Sequence, residues 1–271
     1  MKLGLTANVN VPDAPRLARM VCEYLEGQEL ILEEAIATVL GRKGVRIEDM
    51  KVDVMITIGG DGTILRALMR NEAPIFGINA GDLGFLTEIQ EDMLEEGLER
   101  VIRGQYHIEE RSKLRSELAG KRLRDATNEV VVHTAHIAKL RHFRVFVDGE
   151  LAIDVKADGI IVSTPTGSTC YAMSVGAPIL DPRVDALVIA PMAPFKFAGR
   201  PTVVPANSDI SIEIQRPKPC LIVVDGQEEV SMEGNEELHF TTSDKKARFV
   251  SLGRTFYTKM REKLTGGPCW A

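Results

Sequence analysis

The stretch ITIGGDGTILRAL, Ile56 to Leu68, decides how the chain is read. An apolar run feeds Gly59, Gly60, Asp61, Gly62 and Thr63, and apolar residues at helical spacing follow. A buried strand that turns directly into a helix is a building unit of a parallel sheet covered by helices. Glycines in such a turn permit backbone angles and close approaches that a Cβ blocks. Thr63 stands where an N-cap is expected, so the turn offers bare N–H groups, a hydroxyl and the positive end of a helix dipole. That arrangement suits a phosphate. The lone carboxylate of Asp61 fits only if it binds a metal that accompanies the phosphate or accepts a proton from a hydroxyl. The plain alternative is a tight turn with Asp61 capping the helix, although three glycines around one acid exceed what a turn requires. The sequence holds neither GxxxxGK[ST] nor GxGxxG, which leaves a P-loop or an ordinary dinucleotide fingerprint unsupported.

Outward from this stretch, the first hundred residues alternate between strand and helix periods. KLGLTA, ELIL, VDVMITI and PIFGIN read as strands. APRLARMVCEYLEG, EEAIATVLG, TILRALMR and EDMLEEGLERVIRG read as helices, the last with a wet acidic face. A Rossmann-like α/β domain with a parallel sheet is expected over residues 1–105. After Gln105 strand-like runs follow one another, RSKLRSEL among them as a solvated strand, and VDGEL and VVDGQEEV carry the Asp-Gly hairpin signal. A β-sandwich-like domain is expected over 106–251, with a helix in RTFYTKMREKL returning within 252–271 to the first domain. TPTGSTCYAMSVGAPILDP stands out as a long loop, and loops of that length usually carry function.

With 271 residues, 44% hydrophobic and 27% charged, the chain has ordinary globular composition. Its formal charge of −6 gives no general attraction for nucleic acid or anionic membrane. No apolar run approaches the roughly 18 residues needed to span a bilayer. The four cysteines form no CxxC pair, which points to free thiols, and with no secretory leader pattern at the start the cytoplasm is the expected compartment. His133 and His136 would point to opposite faces of a strand and lack an evident third ligand, so no protein-built metal site is expected.

Two further constellations bear on chemistry. TPTGSTCYAMS, Thr164 to Ser174, sets small hydroxyls around one aromatic; hydroxyls suit a ribose and the Tyr171 ring suits stacking on a base. Lys156 and Asp158 precede it, a cation and an anion two residues apart on one strand face. In ATNEVVV, Asn128 and Glu129 interrupt an apolar run, as a site or as an edge feature.

Together, GGDGT at Gly59–Thr63, NE at Asn128–Glu129 and TPTGSTCY at Thr164–Tyr171 resemble the three motifs of the NAD kinases, in that family's order and spacing. Cys170 stands where the family's motif has alanine, a small residue for a small one. GGDGT alone is also found in diacylglycerol and sphingosine kinases. The polar later motifs favour a nucleoside over acyl chains. The resemblance implies phosphorylation of NAD on the 2′-hydroxyl of its adenosine ribose, with Mg²⁺ or Mn²⁺ and with ATP, another triphosphate or polyphosphate as donor. It implies Asp61 as proton acceptor, Gly62 in the same turn and Arg66 facing phosphates. Asn128, Glu129, Asp158, Thr166, Thr169, Cys170, Tyr171, Ala172, Met173 and Ser174 would hold the dinucleotide. Lys139, Lys156, Ala193 and Gln227 match further contact positions, the last in a DGQ segment. The resemblance also implies a homo-oligomer, dimer or tetramer, of the compact prokaryotic form.

Overall fold

Every residue of Val54–Gly59 is buried, which places this strand inside a sheet covered on both faces. In the computed structural model, which describes residues 1–81, 84–136, 139–195 and 199–265, the chain divides into two units. The first comprises residues 1–110 and 247–271, the second 111–246.

In the first unit, β1 (Lys2–Ala7), β2 (Glu29–Leu32), β3 (Val54–Gly59) and β4 (Ile75–Asn79) form a parallel sheet in the order β2-β1-β3-β4. Helices α1 (Ala14–Tyr24), α2 (Glu34–Val39), α3 (Asp61–Arg70) and α4 (Leu94–Ile102) connect or follow the strands. Helices α1, α2 and α4 each present an apolar stripe, such as Leu17, Ala18, Val21 and Cys22 of α1, to the buried cluster around Leu5, Ile56 and Phe76. Helix α3 packs Ile64, Leu65, Ala67 and Leu68 against Met55, Ile75 and Phe249. The chain leaves β1 toward β2 on one side and β3 continues toward β4 on the other. This reversal opens a crevice at the carboxyl ends of β1 and β3, where open α/β sheets bind ligands. The Gly59–Thr63 turn lies at that end of β3.

The second unit is antiparallel. It runs from β5 (His107–Leu118) and β6 (Lys121–Arg122) through β7 (Glu129–Thr134), β8 (Arg141–Val147), β9 (Glu150–Ala157) and β10 (Gly159–Ser163). A short helix α5 (Tyr171–Ser174) precedes β11 (Ala186–Met192), β12 (Thr202–Pro205), β13 (Ile210–Gln215), β14 (Cys220–Val224), β15 (Glu228–Met232) and β16 (Leu238–Ser251). One sheet runs β12-β11-β10-β7-β14-β15, and β16, β13, β8 and β9 neighbour one another in a second. Asp148-Gly149 and Asp225-Gly226 adopt positive φ throughout and close the β8–β9 and β14–β15 hairpins, the geometry that matches strand twist. The end of β16 then adds a parallel strand beside β4 at Phe249–Ile75, and α6 (Phe256–Thr265) returns to the first unit.

Three local expectations need correction. Helix α3 begins at Asp61 with Gly60 as its N-cap, so Thr63 lies inside the first turn and is buried there. RSKLRSEL is not a solvated strand: Arg111, Lys113, Leu114 and Ser116 are all buried. The hydroxyl-rich segment is not an open loop but a 3-10 turn, Thr166–Thr169, running into α5.

Candidate active site

The carboxylate of Asp61 is fixed by a partner with no side-chain signature. Phe85 N–H donates to Oδ2 at 2.9 Å and Leu86 N–H donates to Oδ1 at 3.0 Å. The approach is so close that a Cβ on Gly84 would lie 2.1 Å from Oδ1, so only glycine fits. Position 59 is equally constrained: φ is +151° and a Cβ would meet Thr63 Oγ1 at 2.3 Å. Gly60, by contrast, faces open space within 4 Å, which leaves its backbone approachable at the helix N-terminus. Asn79 pairs in register with Gly59, and its Oδ1 is buried without a partner. Sequence reasoning missed Asn79 and the Gly84–Leu86 clamp. The glycines of NAGDLGFL were their only signal.

Gly62 is exposed in the first turn of α3. Arg66, expected to face phosphates, donates two bonds to Glu33, at 2.5 and 2.8 Å, and one to Thr6 Oγ1 at 2.8 Å. Thr6 Oγ1 in turn donates to Glu33. The guanidinium is thus held at the crevice end of β1 by a buried acid.

In the second unit the NE segment is built around Asp225. Its carboxylate accepts N–H bonds from Thr127 at 2.7 Å, Asn128 at 2.8 Å and Glu129 at 3.1 Å. The TPTGST segment packs on the same backbone. Thr164 N–H donates to the Asn128 carbonyl at 2.8 Å, and a Cβ on Gly167 would lie 2.3 Å from that oxygen. Most hydroxyls there are spent internally: Thr164 donates to Thr127 O, Ser168 to Pro165 O, Thr169 to Thr166 O and Ser174 to Tyr171 O. They build the turn. Thr166 Oγ1, Asn128 Oδ1 and Glu129 Oε2 are buried without a partner, and buried polar atoms in that state usually have a ligand or water to satisfy them. Asn128 Nδ2 donates to Cys170 Sγ at 3.2 Å.

Beside these segments lies a cavity of about 480 Å³, within the usual range for small-molecule sites. Glu129, Asp158 and Tyr171, three of the residues named from the sequence, line it together with His133, Thr134, Met192 and Gly226, which sequence reasoning had not assigned. Tyr171 keeps 44% of its surface exposed, so its ring is available for contact. His133 Nδ1 lies 2.9 Å from Thr134 O; a proton on Nδ1 donates there and leaves Nε2 as the ring's acceptor. Among the remaining expected residues, Ala172 is fully buried and Met173 half-buried, while Lys139, Lys156, Ala193 and Gln227 are exposed. None of these six lines the cavity. Asp158 falls between the end of β9 and the start of β10, one residue past the strand that carries Lys156.

Burial pushes the Glu129 carboxyl up to about 8, helped by the nearby Asp225 charge. Burial also raises Asp225, to about 6, against the opposing pull of its three N–H bonds. At neutral pH Asp225 therefore keeps the charge and Glu129 the proton, so Glu129 presents a hydrogen-bond donor at the cavity wall.

Comparison with known sequences identifies the family. The ATP-NAD kinase N-terminal domain matches residues 26–106 and the ATP-NAD kinase C-terminal domain residues 127–252. A curated NAD kinase of Methanothermobacter thermautotrophicus is 42% identical, covering 98% of this chain and 97% of the relative. The chain belongs to the NAD kinase family. An NAD kinase of Thermoplasma acidophilum is 38% identical over 97% of this chain and 98% of its own length. Among solved NAD kinases, that of Archaeoglobus fulgidus in complex with ATP superposes with a TM-score of 0.79 at 28% identity, over 96% of this chain and 99% of the other. Yeast NADH kinase complexed with NADH shares the fold, with a TM-score of 0.89 at 22% identity over 100% and 89% of the two chains.

Proposed function

We propose that this NAD kinase transfers the terminal phosphoryl group of ATP to the 2′-hydroxyl of the adenosine ribose of NAD, with Asp61 as the proton acceptor. The observation that carries the reading is the Asp61 carboxylate, anchored at both oxygens by backbone amides at the mouth of a helix beside an approachable Gly60. Each oxygen keeps a second lone pair for the hydroxyl. Phosphoryl transfer depends mostly on positioning and charge neutralisation, and a carboxylate that cannot swing away serves the first need. The orphaned Asn128, Glu129 and Thr166 atoms and the exposed Tyr171 ring support binding of the dinucleotide by the second unit.

A divalent metal belongs to this reading. Among the described residues no group of three or more His, Cys, Asp or Glu side chains is placed to hold an ion. The ion of this reading is a hard one, Mg²⁺ or Mn²⁺, held mainly by phosphate oxygens and water, with the Asp61 carboxylate in the same turn as a protein ligand. Such an ion neutralises phosphate charge when bound. The described cysteines Cys22, Cys170 and Cys220 form no disulfide, which supports a cytoplasmic setting. The homo-oligomer implied by the family is also proposed, and light scattering tests it.

The deciding assay incubates the purified protein with NAD, ATP and Mg²⁺ and follows NADP enzymatically, with triphosphates and polyphosphate compared as donors. NADP is expected, lost with chelator and restored by Mg²⁺ or Mn²⁺ while the circular dichroism spectrum stays constant. Phosphorylation elsewhere on NAD, or full activity in chelator, would refute the respective assignment.

A further inference from the structure

Glu88 is 2% exposed and Lys259 6%, and Lys259 Nζ donates to Glu88 Oε2 at 2.6 Å. Buried ion pairs add little stability over an apolar pair of similar size, so this one invites another explanation. Glu88 is unusually well engaged. Its Oε1 accepts the Leu252 N–H at 2.7 Å, its carbonyl accepts Arg254 Nη1 at 3.0 Å, and its own N–H donates to Gly77 O at 2.8 Å. One residue thereby ties β4, the 252–254 segment and α6 together. Three and two residues before it in the chain, the amides of Phe85 and Leu86 grip Asp61. The catalytic carboxylate has its own anchor, and that anchor ends at Glu88.

We propose that Lys259 and Glu88 are positioning residues: by fastening α6 to the end of the 84–88 segment, they hold the amides that orient Asp61. The inference rests on the reading of Asp61 as proton acceptor. A misplacement near 1 Å at the reacting group costs on the order of 10²-fold in rate. Substrate binding elsewhere is untouched by such a shift.

A double-mutant cycle on the full chain tests this, with kcat and the KM for NAD measured for Lys259→Met, Asp61→Asn and the double variant. Lys259→Met is expected to lower kcat about 10- to 100-fold with the NAD KM within about two-fold. In the Asp61→Asn background the same change should lower kcat less than about three-fold, because nothing remains to be oriented. Lys259→Arg should restore most of the loss. If Lys259→Met does not fold, Lys259→Gln, which keeps a neutral donor, takes its place in the same cycle with the same expectation. Equal losses in both backgrounds, unchanged kcat, or a change confined to KM would overturn the latch alone. Near-parental turnover of Asp61→Asn by itself would overturn the reading of Asp61, and the latch with it.

Discussion

In the Gly59–Thr63 turn, both oxygens of Asp61 accept a backbone N–H, whereas beside the second unit's cavity Asn128 Oδ1, Glu129 Oε2 and Thr166 Oγ1 are buried with no partner. On the proposed assignment, the first region fixes a reagent in place before any substrate arrives. The second leaves hydrogen-bonding capacity for a ligand to complete. Electrostatic preorganisation requires the former, because a group that must reorient adds to the barrier. Recognition profits from the latter, since an analogue lacking the matching group leaves buried polar atoms unpaired.

The largest expected effect breaks or confirms the first half of this contrast. Asp61→Asn keeps the size but loses charge, basicity and one of the two acceptors that meet the Phe85 and Leu86 amides, so kcat should fall at least by the roughly 10²–10⁴-fold of a positioned general base. NAD affinity, titrated without ATP, should stay near the parent. A collapse of binding with turnover per bound substrate preserved would make Asp61 a recognition group and erase the contrast.

A smaller effect sharpens the second half. Tyr171 lines the cavity with 44% of its surface exposed, so Tyr171→Ala should leave the fold intact. Loss of stacking on a base is worth roughly 1–3 kcal/mol, about 5- to 150-fold in Kd. Calorimetry giving an unchanged NAD dissociation constant would remove the ring from the site.

The smallest concerns stability and pH. The folded chain holds the Glu129 proton up to about pH 8, while an unfolded glutamate loses it near 4. Between those values the native state binds more protons than the unfolded state. This contribution is complete below the unfolded value and declines as pH rises through the folded one, by up to about 1.4 kcal/mol per pH unit. Asp225, raised to about 6, adds the same sign over a narrower range. Glu129→Gln should therefore flatten the fall in melting temperature between pH 5 and pH 8, read by calorimetry at each pH. An equal slope in both proteins would mean that Glu129 is ionised throughout.

Much of the architecture was legible because it rests on side-chain pattern. VDVMITI supplies the buried apolar residues Val54, Met55, Ile56 and Ile58 of β3, and the Asp-Gly pairs fall at the two hairpin turns. The Asp61 turn was legible for the same reason, its glycines being visible in the sequence. The amides that hold Asp61 were not, since a backbone N–H at Phe85 or Leu86 leaves no residue-type mark. Nor was the fate of the hydroxyls in TPTGST. A threonine or serine reads alike whether it meets a ribose or, like Thr164 and Ser168, a neighbouring carbonyl. Arg111 and Lys113 misled in the opposite sense: charge suggested solvent, and the fold buries them.

Asp225 serves a turn and a site with the same side chain. Its φ of +49°, with Gly226 at +64°, is a backbone that asparagine tolerates at least as readily as aspartate. By local preference alone the two are interchangeable. Yet three N–H donors converge on its carboxylate, one on Oδ2 and two on Oδ1, and a primary amide answers that demand with a single oxygen and an NH₂ group. One of its ends would set donor against donor beneath the Asn128–Glu129 backbone. The two amino acids are equivalent for bending the chain and opposite for holding the neighbouring strand, so the identity of a hairpin residue is decided here by hydrogen-bond polarity rather than by conformation.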